Sequence, residues 1–237
     1  MLQACLNGDR LRSDHPALPI TAEQLARDAE AVVRAGANEL HVHPRGADGL
    51  ESLEPQDVAA AVLAIRAAVP GIQLGLSTRS PIRPGGRERH QPMRSWSVRP
   101  DYVSVNLVEE DAPDVISLML DMGIGIEAGL WSKADAIRFV GLPDAARCLR
   151  VLIEINEQDE AEGLEVCRAI TEVLDSAGST LPRLLHGYEA TKWSIYRESL
   201  RLGLDARVGF EDGFLMPTGE RASDNAALIA AARKIAV

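Results

Sequence analysis

Cysteine is scarce in this chain of 237 residues: Cys5, Cys148 and Cys167 are an odd number with no C-x-x-C spacing. That argues against a disulfide framework or a thiolate zinc knot, and leaves the three as small buried apolar residues. Positive charge is short as well, with 25 Lys and Arg against 35 Asp and Glu and a net charge of −10. Nucleic-acid phosphates and anionic lipid both demand a local positive excess, so neither is an expected partner. Charge interrupts every long apolar stretch, and the opening residues LQACLNGDR lack a basic segment leading into an apolar one. Neither a transmembrane helix nor a signal peptide is expected, and the cytoplasm is the expected compartment. The motifs G-x-S-x-G and H-E-x-x-H are missing, which removes the simplest routes to a serine hydrolase or a zincin. No low-complexity linker divides the chain, so residues 1–237 read as a single domain.

What is present is an alternation of short apolar runs with longer helical patterns. Strands are expected at Leu2–Leu6, Glu39–His43, Gln73–Ser77, Tyr102–Leu107, Gly123–Glu127, Cys148–Ile155, Arg183–Gly187 and Ala206–Phe210. Between them, Thr21-x-x-Gln24 has the form of a capping box ahead of a helix ending at Gly36, and Pro55 opens another that ends at Pro70-Gly71. Further helices are expected at Asp114–Met122, Ser132–Val140, Asp159–Asp175, Glu189–Leu202 and Ser223–Ile235, while Pro81–Pro100 reads mostly as loop. Eight β/α units in about 250 residues match a TIM barrel, with an open doubly wound sheet as the competitor. Strand parity favours the barrel. In Leu40-His41-Val42-His43 and Tyr102-Val103-Ser104-Val105-Asn106-Leu107 the apolar residues take one face and the polar ones the other, as do Val208 and Phe210 against Arg207, Gly209 and Glu211. In a barrel those polar residues converge on the C-terminal mouth.

His41-x-His43 at a strand end can aim two imidazoles at one cation. Glu211 ends the eighth strand, and strands eight and two both flank strand one, so a His-His-Glu site across that edge is geometrically reasonable. Zinc is the first choice of metal, although the same donors can hold non-haem iron(II) or another divalent ion. Arg207 and Asp212 bracket Glu211 and suit a carboxylate grip or an acid/base role, the alternative being an internal ion pair. Ser77-Thr78-Arg79 and Ser104-x-Asn106 end strands three and four and offer hydrogen bonds to a ligand. The segment Arg79–Arg99, rich in arginine, either closes over an anion or is a solvated loop. His186 and Glu189, after strand seven, either join the site or satisfy the loop. Gly123-x-Gly125-x-x-Ala128 matches a dinucleotide fingerprint only in letters, because it runs into a strand rather than a helix.

The series Asn7-Gly8, His15-Pro16-Ala17-Leu18-Pro19-Ile20-Thr21, Ala35-Gly36-Ala37, His41-Val42-His43, Leu76-Ser77-Thr78 and Arg207-Val208-Gly209-Phe210-Glu211-Asp212 resembles the β-keto acid cleavage enzymes over nearly the whole chain. The resemblance implies a TIM-barrel metalloenzyme, usually zinc-dependent and commonly homo-oligomeric. Such an enzyme exchanges an acetyl group between a β-keto acid and acetyl-coenzyme A, giving acetoacetate and a new coenzyme A thioester. It also implies that His41, His43 and Glu211 hold the metal, that Arg207 and Asp212 activate the keto acid, with Asp212 managing the proton, and that Ser77 and Ser104 contact substrate. Where the family has an acidic substrate-binding residue after the first strand, this chain has Gly8-Asp9-Arg10. Asp9 is thus a displaced substitute and Arg10 reverses the charge, so recognition of a substrate amine is not expected. Connections after strands four to six are compact compared with relatives. Two other classes compete. An amidohydrolase-like hydrolase would carry H-x-H on strand one and histidines after strands five and six, and a non-catalytic metal-containing barrel would simply bind a carboxylate.

Overall fold

The computed structural model describes residues 1–236, so Val237, the last residue of the expected domain, lies outside the described residues. Eight parallel strands, β1 (Leu2–Cys5), β2 (Glu39–Val42), β3 (Gln73–Ser77), β4 (Tyr102–Asn106), β5 (Gly125–Leu130), β6 (Arg150–Ile155), β7 (Arg183–Gly187) and β8 (Asp205–Val208), close into a barrel in chain order. The helices are α1 (Ala22–Ala35), α2 (Pro55–Ala68), α3 (His90–Arg94), α4 (Ala112–Asp121), α5 (Lys133–Val140), α6 (Glu160–Ser176), α7 (Lys192–Leu202) and α8 (Asn225–Ile235). This is a TIM barrel, and among the described residues no helix is long and apolar enough to cross a membrane.

Local chemistry sets the ends of α1. The Thr21 hydroxyl accepts from the Gln24 amide at 3.3 Å while the Gln24 side chain accepts from the Thr21 amide at 3.0 Å, and Gly36 takes the left-handed cap with φ 114°. Leu25, Ala29 and Val32 then face the barrel. Leu40, Val42, Val103, Val105, Val151 and Ile153 point outward into the shell of helix side chains that forms the core. The three cysteines are buried and free.

Several boundaries differ from the sequence pattern. β5 begins at Gly125 because Gly123, at φ 75°, belongs to the turn that leaves α4. β6 begins at Arg150, after a short 3-10 turn at Ala145–Arg147. Beyond β8, a side chain at Gly209 would sit 1.9 Å from the Cys5 carbonyl oxygen, so the backbones of the first and last strands pack there at a distance only glycine allows. The stretch Pro81–Pro100 is more ordered than expected, with a 3-10 turn at Gly86–Arg89 running into α3. Its anchor is Arg89, fully buried, which donates to Asp111, Glu109 and the Thr78 and Gly86 carbonyls.

The lower barrel interior is polar. Gln3 Nε2 donates to Tyr102 Oη (2.8 Å) and Glu127 Oε2 (3.0 Å), Arg150 Nε donates to Glu127 Oε2 (2.6 Å), and Arg150 also pairs with Glu39. Gly75 leaves space for the Tyr102 ring, which would lie 2.1 Å from an added Cβ. This network closes the barrel below, opposite its C-terminal mouth, although Gln3 Oε1 and Glu127 Oε1 have no hydrogen-bond partner.

Candidate active site

The mouth encloses a cavity of about 430 Å³ whose wall includes His43, Ser77, Arg79, Ser104, Asn106, Trp131, Glu154, Arg207 and Glu211. Parallel register explains this convergence: Cys5 pairs with His41, His41 with Gly75, and Ser77 with Ser104, so inward residues near the strand ends share a level. A side chain at Gly129 would meet Asn106 Oδ1 at 2.5 Å, which is how β5 lets Asn106 turn inward.

His41, His43 and Glu211 meet at the seam. The two Nε2 atoms are 3.2 Å apart, His41 Nε2 is 3.6 Å from Glu211 Oε2, and His43 Nε2 is 3.3 Å from Glu211 Oε1. One ligand atom from each lies within 4.8 Å of the others. Gly8, at φ 55°, makes the room, since a Cβ there would lie 2.5 Å from Glu211 Cγ. Asn7 fixes the end of β2 from both sides, accepting from the His43 amide and donating to the His43 carbonyl, each at 2.9 Å. His43 Nδ1 donates to Glu51 Oε1 at 2.6 Å, which leaves Nε2 aimed at the cluster. The sequence reading missed Glu51. Its signal was Asp48-Gly49, the turn that folds Glu51 back to bridge Arg45 beside β2.

Burial drives His41 down to about 4, keeping its ring neutral. Burial pushes the same way on His43, but the Glu211 and Glu51 carboxylates outweigh it and raise that ring to about 9. Burial opposes the charge on Glu211 too, and Arg207 together with the two histidines holds this carboxyl well below its ordinary range. Two facing imidazole nitrogens and a buried Glu211 Oε2 with no hydrogen-bond partner form a donor set that a divalent cation would satisfy.

Arg207 Nη2 donates to Glu211 Oε1 (2.6 Å) and Asp212 Oδ1 (3.0 Å), coupling the cluster to a second buried carboxylate. Asp212 is fully buried, accepts from the Cys5 thiol at 2.9 Å, and is absent from the cavity wall. Against the cost of burial, Arg207 and His186 keep it far below the usual carboxylate range. His186 does join this network, with Nδ1 3.3 Å from Asp212 Oδ1 and Nε2 3.5 Å from Glu154 Oε2.

Asp9 reaches the cavity wall but is paired there, its Oδ2 2.6 Å from Arg79 Nη1. Arg10 turns away from the cavity. It donates to the Glu211 carbonyl at 3.0 Å, pairs with Glu189, and lies over the rings of Tyr188 and Phe214.

A sequence model of the beta-keto acid cleavage enzyme family matches residues 1–122 and 127–237. The chain belongs to that family. It is 30% identical over 243 aligned positions to the 3-oxoadipate:acetyl-CoA acetyltransferase of Cupriavidus necator, covering 92% of this chain and 81% of that protein. It is 22% identical to the 3-keto-5-aminohexanoate cleavage enzyme of Fusobacterium nucleatum, with 97% and 88% covered. Among solved structures, ObcA in ternary complex with a C4-CoA adduct and oxalate superposes with a TM-score of 0.76 at 17% identity, over 92% of this chain. This chain spans about three-fifths of ObcA, 63% of its length, and at that identity the likeness is one of fold.

Proposed function

We propose that this protein cleaves a β-keto acid by acyl exchange with acetyl-coenzyme A, giving acetoacetate and a new coenzyme A thioester. The observation that carries the reading is the His41–His43–Glu211 cluster joined through Arg207 to Asp212 at the open barrel mouth, in a chain of this family. In that exchange a proton leaves C2 of the keto acid, the resulting carbanion attacks the thioester carbonyl, and thiolate departs. The thiolate then adds to the original keto carbonyl, the C–C bond to C2 breaks, and the acetoacetate enolate takes a proton.

His41, His43 and Glu211 would hold the divalent metal, zinc as first choice, and bound there it would supply Lewis acidity at the keto oxygen. Arg207, buried but bordering the cavity, presents a fixed positive charge to the substrate carboxylate or enolate. Asp212 fixes the guanidinium in that orientation and is the carboxylate proposed to manage proton transfer. Ser77, Ser104 and Asn106 line the opposite wall and supply hydrogen bonds to substrate.

Arg79 on the cavity wall, with Asp9 paired to it rather than free to meet an amine, suits a substrate side chain that is neutral or anionic. The relative that acts on 3-oxoadipate makes this dicarboxylate the first compound to try. The test is a panel of β-keto acids incubated with acetyl-coenzyme A and read by mass spectrometry. Acetoacetate and a matching new thioester are expected; hydrolysis without thioester exchange favours the amidohydrolase-like reading, and binding without any product favours the non-catalytic barrel.

A further inference from the structure

Beyond Val208 the chain leaves the strand ladder, and Glu211 and Asp212 sit in the turn that follows. The amides of that turn make long bonds: Glu211 to the Cys5 carbonyl at 3.4 Å, Asp212 to the Gly209 carbonyl at 3.1 Å and Gly213 to the Phe210 carbonyl at 3.3 Å. Its carbonyls are held from outside. Three in succession accept hydrogen bonds from three different parts of the fold: Glu211 from the Arg10 guanidinium (3.0 Å from Nη2, 3.2 Å from Nε), Asp212 from the Glu189 amide (2.7 Å) and Gly213 from Lys192 Nζ (2.6 Å). Glu189 has φ 48°, the one positive φ outside glycine among the described residues, a conformation that persists where surrounding contacts impose it.

Arg10 is the pivot of this arrangement. Its guanidinium pairs with Glu189 and lies 4.8 Å from the centre of the Tyr188 ring and 5.1 Å from that of Phe214, so the planar fork has a fixed direction when it meets Glu211. Its backbone is tied in turn to β2, because Arg45, two residues beyond His43, donates to the Arg10 carbonyl at 3.0 Å and to the Gly8 carbonyl. Two arginines thus run from the end of β2, through the loop after β1, to the carbonyl of Glu211. They act through backbone carbonyls and set the spacing between the histidine pair and the carboxylate across the barrel seam.

We propose that Arg10 is a positioning residue for the acyl exchange: braced by Glu189 and Arg45, it holds the Glu211–Asp212 turn in place against His41 and His43, and it does not read the substrate. This rests on the reading of the protein as a β-keto acid cleavage enzyme in which Glu211 holds the metal and Asp212 moves the proton. A displacement of the turn by about 1 Å disturbs both roles together.

The experiment measures zinc affinity by competition with a chelator, and the steady-state kinetics of acyl exchange with acetyl-coenzyme A, in wild type, Arg10→Met and Arg10→Lys, each checked for fold by circular dichroism. Arg10→Met removes the donors and keeps a chain that packs on Tyr188 and Phe214. It should weaken zinc binding by about 10-fold and lower kcat by about 10-fold or more, with KM changed no more than a few-fold for neutral and anionic keto acids alike. Arg10→Lys, which can still donate to the Glu211 carbonyl, should recover part of both losses. A residue that only stabilised the fold would shift the melting temperature and leave the zinc affinity of the folded protein unchanged. Wild-type zinc affinity and kcat in folded Arg10→Met overturn the assignment, and so does a rise in KM confined to anionic substrates, which would make Arg10 a substrate reader. Should Arg10→Met fail to fold, Glu189→Ala, at a side chain 38% exposed, removes the arginine's partner and decides instead: a fall in both quantities supports the assignment, and unchanged values overturn it. A wild-type protein that transfers no acyl group with any β-keto acid defeats the functional reading and this assignment with it, whereas an active wild type indifferent to Arg10→Met loses the assignment alone.

Discussion

Single side chains decide what the mouth can bind. With His43 held by Glu51 through a 2.6 Å hydrogen bond, Glu51→Gln weakens the orientation of one ligand without deleting it. Metal affinity should fall by about 10- to 100-fold, checked by competition with a chelator, whereas His41→Ala should strip the ion altogether in elemental analysis. On the proposed function, charge selectivity falls to Arg79. Arg79→Met should raise KM for keto acids with an anionic side chain by about 10-fold or more and leave neutral ones nearly unchanged; equal effects on both would mean that Arg79 does not read the side chain. The clustering of His41 with His43 was legible because two-residue alternation on β2 is enough to place both imidazoles together. Glu51 was not, since its approach depends on how a turn folds back, and alternation along a strand carries no information about that. Arg10 shows the converse limit: its charge was visible in the sequence, but its direction was set by Glu189 and two aromatic rings that no local pattern reveals.

At the level of elements, the strands and most helices follow from hydrophobic period and caps, and the errors cluster where a polar group replaces an apolar one inside. The segment ahead of β4 is the clearest case. Its organising residue is an arginine, and a pattern built on apolar spacing reads Gly85-Gly86-Arg87-Glu88-Arg89 as solvent-facing chain. Arg89 is instead fully buried and ties the end of β3 to the β4–α4 connection through Glu109 and Asp111. Removing it leaves Glu109 without its cation and Asp111 with only His90. Arg89→Met should therefore lower unfolding free energy by about 3–5 kcal/mol in urea titrations, far more than Arg87→Met, whose pair with Asp114 is exposed. Comparable losses in the two variants would show that the buried network has no special weight.

Across the whole molecule, α8 returns to pack on α1, and Asn225 Nδ2 donates to Asp28 Oδ2 at 2.7 Å between them. Burial raises Asp28 to about 7, with Asp224 adding to the shift and the Asn225 hydrogen bond opposing it. The folded state then keeps a proton that the unfolded chain releases near pH 4, so the unfolded state binds fewer protons and stability falls as pH rises from about 4 to about 7. Asp28→Asn should remove this contribution: in denaturant titrations the variant gains on wild type between pH 4 and pH 8, and a constant difference across that range would count against the shift. The placement of the proposed metal cluster also bears on how the chain is made. His41 and His43 leave the ribosome early and Glu211 late, and the ligands come together only where the final strand meets the first, beside the Gly209–Cys5 contact. A nascent chain stalled after α7 would carry both histidines and no third donor, so tight metal capture waits for the C-terminal segment to close the ring. Such an ion, once captured, would act as a clasp between the two ends of the sequence, where loop-closure entropy is greatest.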